Sequence, residues 1–508
     1  MILVFIVIFY RQLKEGIKLI AKTISSSNMT YIGQEESGVI SFKGIPYAKP
    51  PVGKRRWKAP EDLDPEPKRI EAFSYGSPCI QPVDENEPSS FGNQSEDCLT
   101  LNIWTRELEG AKKPVMVFIH GGGFIGGGSN DPLYDGKNFV KRNDIVLVSI
   151  NYRVNIFGFL DLEELGGKAY ADSKNLGILD QIKALEWIKA HIHLFGGDPG
   201  NITIFGESCG GASVSLLMTI PKAKGLFHRV IAQSGTVNLV KNEETAKQIG
   251  KDFVKLTGAR SVEDLLALDA DQLRAYCGRL MDLYQYKSEI MFAPTADGKL
   301  IPLNPYQEIE NGCAAGIDCM IGTTKDEMAY WRLYYPDLDD ILEDYLNQQL
   351  SIIESMSGIV AAAAQHRKQA SSADLYQIAN DILFHIPAIK FAESQSRFAS
   401  TWMYFFTWSS RIKGLGACHA IDLPFVFHNL KSGEWLTGKE PPVTLADRMQ
   451  DAWVSFARNG NPAHPAIPAW PAYDPDHRSV MQIDENWRCI RGHVPEILRT
   501  KKSTQKVE

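Results

Sequence analysis

The sequence predicts an α/β fold in which a mostly parallel central sheet is covered by helices on both faces. Short apolar runs recur along the chain and are continuous rather than alternating, as is typical of strands buried on both sides. Helical patterns lie between these runs, and such alternation favours a parallel sheet. The 508 residues are 44% hydrophobic and 23% charged, which is enough apolar material for a large core.

The elements follow from these patterns. The apolar runs predict strands at 115–120, 145–151, 202–206, 230–233, 319–322 and 401–408. Apolar residues at helical spacing predict helices at 180–191 and 445–458, and Asp180 is expected at a helix boundary. Residues 242–293 and 337–381 are interpreted as helical insertions over the carboxyl ends of the strands, where such sheets place their ligands.

We interpret 29–498 as a single domain, 1–28 as an N-terminal extension and 499–508 as a basic tail. The apolar stretch 2–10 is too short to span a bilayer. We therefore expect a cytoplasmic protein without stable membrane insertion of its body. Secretion or N-terminal anchoring is the alternative if the stretch acts as a signal, and a start at Met29, with 1–28 as a start-site artefact, is a further alternative.

Composition excludes several classes of partner. A net charge of −7 and a pI near 5.9 give no general attraction to nucleic acid.

Eight cysteines in so long a chain do not make a disulfide scaffold. Cys79 and Cys98 bracket a polar stretch rich in Pro, Ser and Asn that is typical of a surface loop, which makes them a candidate disulfide at the base of that loop.

The sharpest motif is Gly206-Glu207-Ser208-Cys209-Gly210, between a predicted strand and a predicted helix. A G-x-S-x-G turn in that setting is strained and exposes the serine hydroxyl at the top of a sheet. Glycines flank the serine because neighbouring backbone comes too close for side chains. Ser208 is therefore the candidate nucleophile.

A second motif, His120-Gly121-Gly122-Gly123-Phe124, directly follows a predicted strand. Consecutive glycines allow backbone N–H groups to turn toward a developing oxyanion. The stretch also fits a dinucleotide-binding pattern, but a turn-rich loop follows it, without the helix that would hold a pyrophosphate. We therefore expect neither an organic cofactor nor a metal.

The chain resembles the type-B carboxylesterases, the family that contains carboxylesterases, cholinesterases and bacterial para-nitrobenzyl esterases. The matching stretches are FKGIPYAKPPVGKRRW, SEDCLTLNIW, HGGGF, NYRVNIFGFL and the long segment 175–213. They belong to a match that extends from about residue 38 to residue 490. The resemblance implies an α/β-hydrolase fold and a serine esterase that acts on small-molecule esters through an acyl-enzyme.

The resemblance also supplies the partners of Ser208. It points to Glu327 as the acid and His419 as the base, which gives the α/β-hydrolase order of serine, acid and histidine. The remaining implied residues are the oxyanion-hole donors Gly122, Gly123 and Cys209, the acid-supporting Ser234, and the ion pair Arg56–Glu96.

Three residues depart from the family pattern, namely Cys209, Met328 and Ala420, and we expect them to affect pocket shape. The side chain of Cys209 should point back into the packing, leaving only its N–H for the substrate. Asp326 is the nearest competitor of Glu327 for the role of the acid. Two alternative functions remain open: an amidase or peptidase with the same triad, and a non-catalytic binding protein on the same fold.

Overall fold

The fold is taken from a computed structural model. The structure describes residues 20–26, 29–82, 92–108, 110–284, 291–334, 372–493 and 495. The predicted tail 499–508 and most of the predicted insertion 337–381 lie outside these described residues.

Thirteen strands of the described chain form one sheet. In chain order they are β1 Ile20–Ser25, β2 Met29–Glu36, β3 Val39–Pro46, β4 Lys68–Glu71, β5 Thr100–Thr105, β6 Lys113–Ile119, β7 Val146–Ile150, β8 Gly197–Glu207, β9 Arg229–Gln233, β12 Asp318–Thr324, β13 Thr401–Phe406, β14 Val480–Ile483 and β15 Arg488–Ile490. Two short strands, β10 Lys241–Asn242 and β11 Thr295–Ala296, pair separately.

The central strands are parallel and the two ends of the sheet are antiparallel. The spatial order is β1-β2-β3-β5-β7-β6-β8-β9-β12-β13-β14-β15, with β4 beside β2. Every neighbouring pair from β7 to β14 is parallel. The carboxyl ends of these strands therefore meet at one edge, which is where the serine turn and the glycine loop lie.

Strand β6 shows why its sequence is continuously apolar. Val115, Val117 and Ile119 belong to one hydrophobic cluster, and Met116 and Phe118 belong to another. Successive side chains of a strand point to opposite faces. Both faces of the sheet are therefore buried, and the predicted fold class is confirmed.

The helices connect and cover the strands. They are α1 Lys137–Arg142, α2 Asn155–Phe159, α3 Glu163–Gly166, α4 Leu176–His191, α5 Cys209–Leu217, α6 Glu243–Thr257, α7 Val262–Leu266, α8 Ala270–Tyr284, α9 Pro305–Glu310, α10 Ser372–Asn380, α11 Ile386–Gln395, α12 Leu423–Val426, α13 Glu434–Thr437 and α14 Val443–Asn459. Among the described residues, no helix has the length and apolar character needed to cross a bilayer.

Two buried ion pairs join parts of the chain that are far apart in sequence. Asp180 lies inside α4, not at a helix boundary as expected, and binds Arg153 with both side chains almost fully buried. The boundary prediction was wrong because a lone carboxylate is excluded from a buried helix face. Here the buried Arg153 pairs with Asp180 and makes its burial possible. Arg56 contacts Glu96 at 2.6 Å, so the expected Arg56–Glu96 ion pair is confirmed.

Candidate active site

The serine turn lies between β8 and α5. Ser208 has φ 58° and ψ −126°, a strained conformation for a residue with a side chain. Its N–H donates to the Gln233 carbonyl at 2.8 Å. A Cβ at Gly210 would lie 2.1 Å from the Ile119 carbonyl oxygen, and one at Gly235 would lie 1.9 Å from the Ser208 carbonyl oxygen. Backbone packing on both sides therefore fixes the turn and requires these glycines.

The glycine loop after β6 lies against this turn. Gly122, Gly123 and Phe124 have φ values of 106°, 64° and 59°. The two glycines adopt this left-handed conformation without a steric penalty. A Cβ at Gly121 would come within 3.2 Å of the Ser208 Cβ, so the loop passes directly beside the serine.

Cys209 supports the loop from behind. Its side chain is buried, and its Sγ accepts a hydrogen bond from the Phe124 N–H at 3.2 Å. The Tyr152 hydroxyl lies 3.7 Å from the same sulfur. Burial raises the pKa of Cys209 to about 12, so the group is a thiol at neutral pH. The inward orientation expected for this side chain is confirmed.

His120 holds the other side of the loop. Its Nδ1 lies 2.8 Å from the Gly121 carbonyl oxygen and must donate to it. Its ring stacks on Tyr152, whose hydroxyl donates to the His120 carbonyl oxygen at 2.9 Å. Burial lowers the pKa of His120 to about 4, so the ring is neutral.

Glu327 follows β12 and is fully buried. Its Oε1 accepts from the Ser234 hydroxyl and from the Thr324 N–H, each at 2.7 Å, and its Oε2 lies 2.6 Å from His419 Nδ1. Burial alone would raise the pKa of Glu327. The charge of His419 and these hydrogen bonds outweigh burial and hold the pKa below its ordinary value. The carboxylate therefore stays ionised and fixes the tautomer of the imidazole.

Asp326 has a different role from its neighbour. Its Oδ2 accepts from the Ala417 N–H at 2.8 Å, and its N–H donates to the Ala417 carbonyl oxygen at 2.9 Å. Asp326 therefore holds the loop that carries His419, and Glu327 contacts the imidazole itself.

His419 is buried with its Nε2 directed at the serine turn. The Nε2 lies 3.1 Å from Glu207 Oε1, on the residue before Ser208. Within the described part of the chain the Nε2 has no aligned hydrogen bond. Burial alone would lower the pKa of His419, but the carboxylates of Glu207 and Glu327 raise it above its ordinary value.

Two further buried carboxyl groups lie close to His419, and sequence reasoning missed both. Burial raises the pKa of Glu207 well above its usual range and that of Asp422 to about 6. Asp422 accepts from Gln233 and from the Tyr404 hydroxyl, each at 2.9 Å. In the sequence, only their positions could have pointed to these two residues. Glu207 lies inside the serine motif, and Asp422 follows His419 by three residues.

Three aromatic rings pack around the imidazole of His419. The ring centroids of Tyr330, Trp331 and Phe384 lie 5.8, 5.2 and 5.1 Å from that of His419. Tyr330 also contacts Trp435, which is 47% exposed. A series of aromatic contacts therefore connects the exposed Trp435 to His419 through Tyr330.

The candidate disulfide residues lie away from these groups. Cys79 and Cys98 are both buried free thiols. A hydrogen bond from Cys79 is the main reason that the pKa of Cys98 lies well above its ordinary value, so the two side chains are adjacent. The bridge itself stays a prediction.

Known proteins with similar sequences and structures are esterases. Residues 28–505 match the model of the carboxylesterase family. The para-nitrobenzyl esterase of Bacillus subtilis is 38% identical over 468 residues, covering 89% of this chain and 92% of that protein. The phenmedipham hydrolase of Pseudarthrobacter oxydans is 32% identical, covering 89% and 92%. The crystal structure of a Geobacillus stearothermophilus carboxylesterase superposes with a TM-score of 0.83 at 36% identity, covering 92% of this chain and 98% of that one.

Proposed function

Since the chain belongs to the carboxylesterase family and is a serine carboxylic-ester hydrolase, we propose that Ser208 is its nucleophile, His419 its general base and Glu327 the acid that orients His419. One observation carries the assignment. Glu327 holds His419 Nδ1 at 2.6 Å, which leaves the Nε2 directed at the turn that carries Ser208.

The mechanism follows from the residue types. A serine hydroxyl is a poor nucleophile at neutral pH, so His419 takes its proton as Ser208 attacks the ester carbonyl. Glu327 stabilises the imidazolium that forms. His419 then protonates the leaving alcohol. Water attacks the resulting acyl-enzyme with the same assistance, and this releases the acid and restores Ser208.

The oxyanion hole is assigned to the N–H groups of Gly122, Gly123 and Cys209. The positive φ values of the two glycines and the contact of the loop with Ser208 support this assignment. Such donors stabilise the negative charge that develops on the carbonyl oxygen. The hydrogen bond from Phe124 to Cys209 Sγ holds the loop in place during this step.

The substrate is a small-molecule ester with an apolar group. The rings of Tyr330, Trp331 and Phe384 beside His419 support an apolar acyl or alcohol portion. The contact of Tyr330 with the exposed Trp435 extends this apolar surface toward the solvent.

The proposal is tested by hydrolysis of para-nitrophenyl esters from acetate to octanoate, with and without an organophosphate. Ser208→Ala should lower kcat by roughly 10³- to 10⁶-fold and abolish organophosphate labelling. Ser215→Ala is the matched control, since Ser215 is buried on the helix that follows Ser208 and its hydroxyl donates to the Ala212 carbonyl oxygen. A Ser208→Ala enzyme that keeps more than about a tenth of the activity would overturn the mechanism.

An ester and an amide with the same acyl group then separate the esterase from the amidase alternative. Ester hydrolysis with little amide hydrolysis is expected, because the leaving group is selected by the pocket and not by the triad.

A further inference from the structure

A second buried histidine lies behind the acid. His385 is 3% exposed and closes a π-helical turn, Asp381–His385, between α10 and α11. Its Nδ1 lies 2.9 Å from Asp381 Oδ1, and its Nε2 lies 2.8 Å from the Thr324 carbonyl oxygen. Single π turns are uncommon and often occur at functional sites.

The partners of His385 determine its protonation. A backbone carbonyl can only accept, so the Nε2 must carry a proton. Asp381 Oδ1 also accepts an N–H from Gln377 at 3.0 Å, and an oxygen that accepts from both sides is matched by a proton on Nδ1. An imidazolium donates to both partners at once, to the Thr324 carbonyl oxygen from Nε2 and to Asp381 Oδ1 from Nδ1.

The charges around His385 agree with this geometry. Burial alone would lower the pKa of His385, but the hydrogen bond and charge of Asp381, the Thr324 carbonyl and the charge of Glu327 raise it. Asp381 faces the ring from its own segment and Glu327 faces it from the turn after β12. Strand β13 contributes the uncharged ring of Phe405, edge-on at 5.3 Å.

His385 is linked to the acid through the backbone of one residue, Thr324. The Thr324 carbonyl accepts from His385, while the Thr324 N–H donates to Glu327 Oε1 at 2.7 Å. On the other side of Glu327, the Met328 N–H donates to Asn380 Oδ1 at 2.8 Å, immediately before the π turn. The π-helical segment therefore holds the acid-bearing turn at both ends.

We propose that His385, as a buried imidazolium paired with Asp381, is a positioning residue that holds Glu327 in the geometry it needs to orient His419. The proposal rests on the triad assigned above. His385 does not reach the reacting atoms. It acts by fixing the backbone of Thr324, whose C=O and N–H belong to adjacent peptide groups, and by placing a positive charge near the Glu327 carboxylate.

This role depends on pH in one direction. Because the pKa of His385 is raised, the imidazolium and both of its hydrogen bonds persist below the ordinary histidine value of 6.5 and for some distance above it. The support is lost as the pH rises through the raised pKa, when the neutral ring must give up one contact. The kcat of the wild-type enzyme should therefore decline at alkaline pH.

The test is kcat against pH for a neutral alkyl ester, followed in a pH-stat, for wild type, His385→Gln and Asp381→Asn. His385→Gln should lower kcat by about 3- to 10-fold, change KM less than twofold and remove the alkaline decline. Asp381→Asn should move the decline to lower pH by about one to three pH units. His428→Gln is the matched control, since His428 also pairs with a carboxylate, Asp447 at 3.0 Å, outside the site.

Nitrogen NMR of enzyme that is isotopically labelled at its histidines shows whether each imidazole ring is charged or neutral. Besides the signal of His419, whose pKa is also raised, an imidazolium signal that persists above the ordinary histidine value of 6.5 and disappears in His385→Gln is expected. A His385→Gln enzyme that loses thermal stability but keeps the wild-type kcat and alkaline decline would overturn the proposal. Failure of Ser208→Ala to inactivate would overturn the triad instead, and the NMR signal would be unchanged by that result.

Discussion

At the scale of single residues, three buried carboxyl groups lie near the imidazole of His419, and their pKa values are shifted in different directions. They are those of Glu207, Glu327 and Asp422. Glu327 is held ionised by the hydrogen bonds it accepts. Burial raises the pKa of Glu207 and the carboxylates of Asp422 and Glu327 add to the effect, whereas the charge of a protonated His419 opposes it and favours the Glu207 carboxylate. Groups of one chemical type can thus serve different functions when their environments separate their pKa values.

Glu207→Gln should shift the acid limb of kcat/KM to lower pH. His419 acts as a base only when neutral, and the Glu207 carboxylate raises the pKa of His419. Glutamine keeps the shape and removes the charge, so His419 should lose its proton at a pH about one to two units lower. The measurement is the pH profile of kcat/KM from pH 5 to 9, and a limb that stays in place or moves upward would contradict the charge coupling.

Glu327→Gln should lower kcat by about 10²- to 10⁴-fold, because a neutral amide cannot stabilise the imidazolium or fix its tautomer. Asp326→Asn should cost less than about tenfold, since an amide oxygen can still accept the Ala417 N–H. The two variants are a matched pair with adjacent positions and the same chemical change. The reverse order of activities would show that Asp326 is the acid.

At the scale of elements, the serine turn depends on the packing of α5 against the ends of β6 and β9. Gly235 follows β9 and does not have a positive φ, so only space excludes a side chain there. Its backbone passes directly under the Ser208 carbonyl. The nucleophile is therefore positioned by contact between neighbouring elements as well as by its own strained backbone.

Gly235→Ala should lower kcat by about 100-fold, since displacing a reacting group by about 1 Å has that effect. Gly278→Ala is the control, because Gly278 lies inside α8 with open space around its Cβ position, and alanine favours a helix. Titration of active sites with an organophosphate, together with the melting temperature, distinguishes a misplaced serine from an unfolded protein. A fully active Gly235→Ala enzyme would contradict the packing argument.

The sequence patterns identified the central strands and the two longest helices of the α/β core, because continuous apolar runs and helical spacing report burial directly. They did not identify β5, whose residues Thr100–Thr105 include the buried Asn102. Asn102 is tolerated there because its amide donates to Ser129 and Ser149. Such partners come from distant segments and leave no local pattern.

The same limit applies to the site. Ser208 and the glycine loop were predicted because strain and close backbone contact require glycines at fixed positions. Glu327 and His419 were assigned only through a family resemblance. Glu207, Asp422 and His385 were missed, because their importance arises from burial and from contacts with residues far along the chain.

At the scale of the whole molecule, the adjacent thiols of Cys79 and Cys98 allow a cross-link that would restrict the unfolded chain. Enzyme produced in an oxidising compartment should contain six titratable thiols after denaturation, against eight in a reducing one. Closing a loop of this size should raise the free energy of unfolding by about 3 kcal/mol. Denaturant unfolding and thiol titration measure both effects, with Cys79→Ser as the control, and eight thiols from both compartments would rule the bridge out.

The order of the triad along the chain has a consequence for biosynthesis. Ser208 and the glycine loop emerge from the ribosome well before Glu327, and His419 emerges last. His419 follows Ser208 by 211 residues, so at about 5–20 residues per second the proposed nucleophile exists for roughly 10 to 40 seconds without its base. The base loop and β13 must then join a sheet whose earlier strands are already available to pair. With the proposed triad, the nascent chain therefore gains esterase activity only after the segment that carries His419 has been synthesised and has folded.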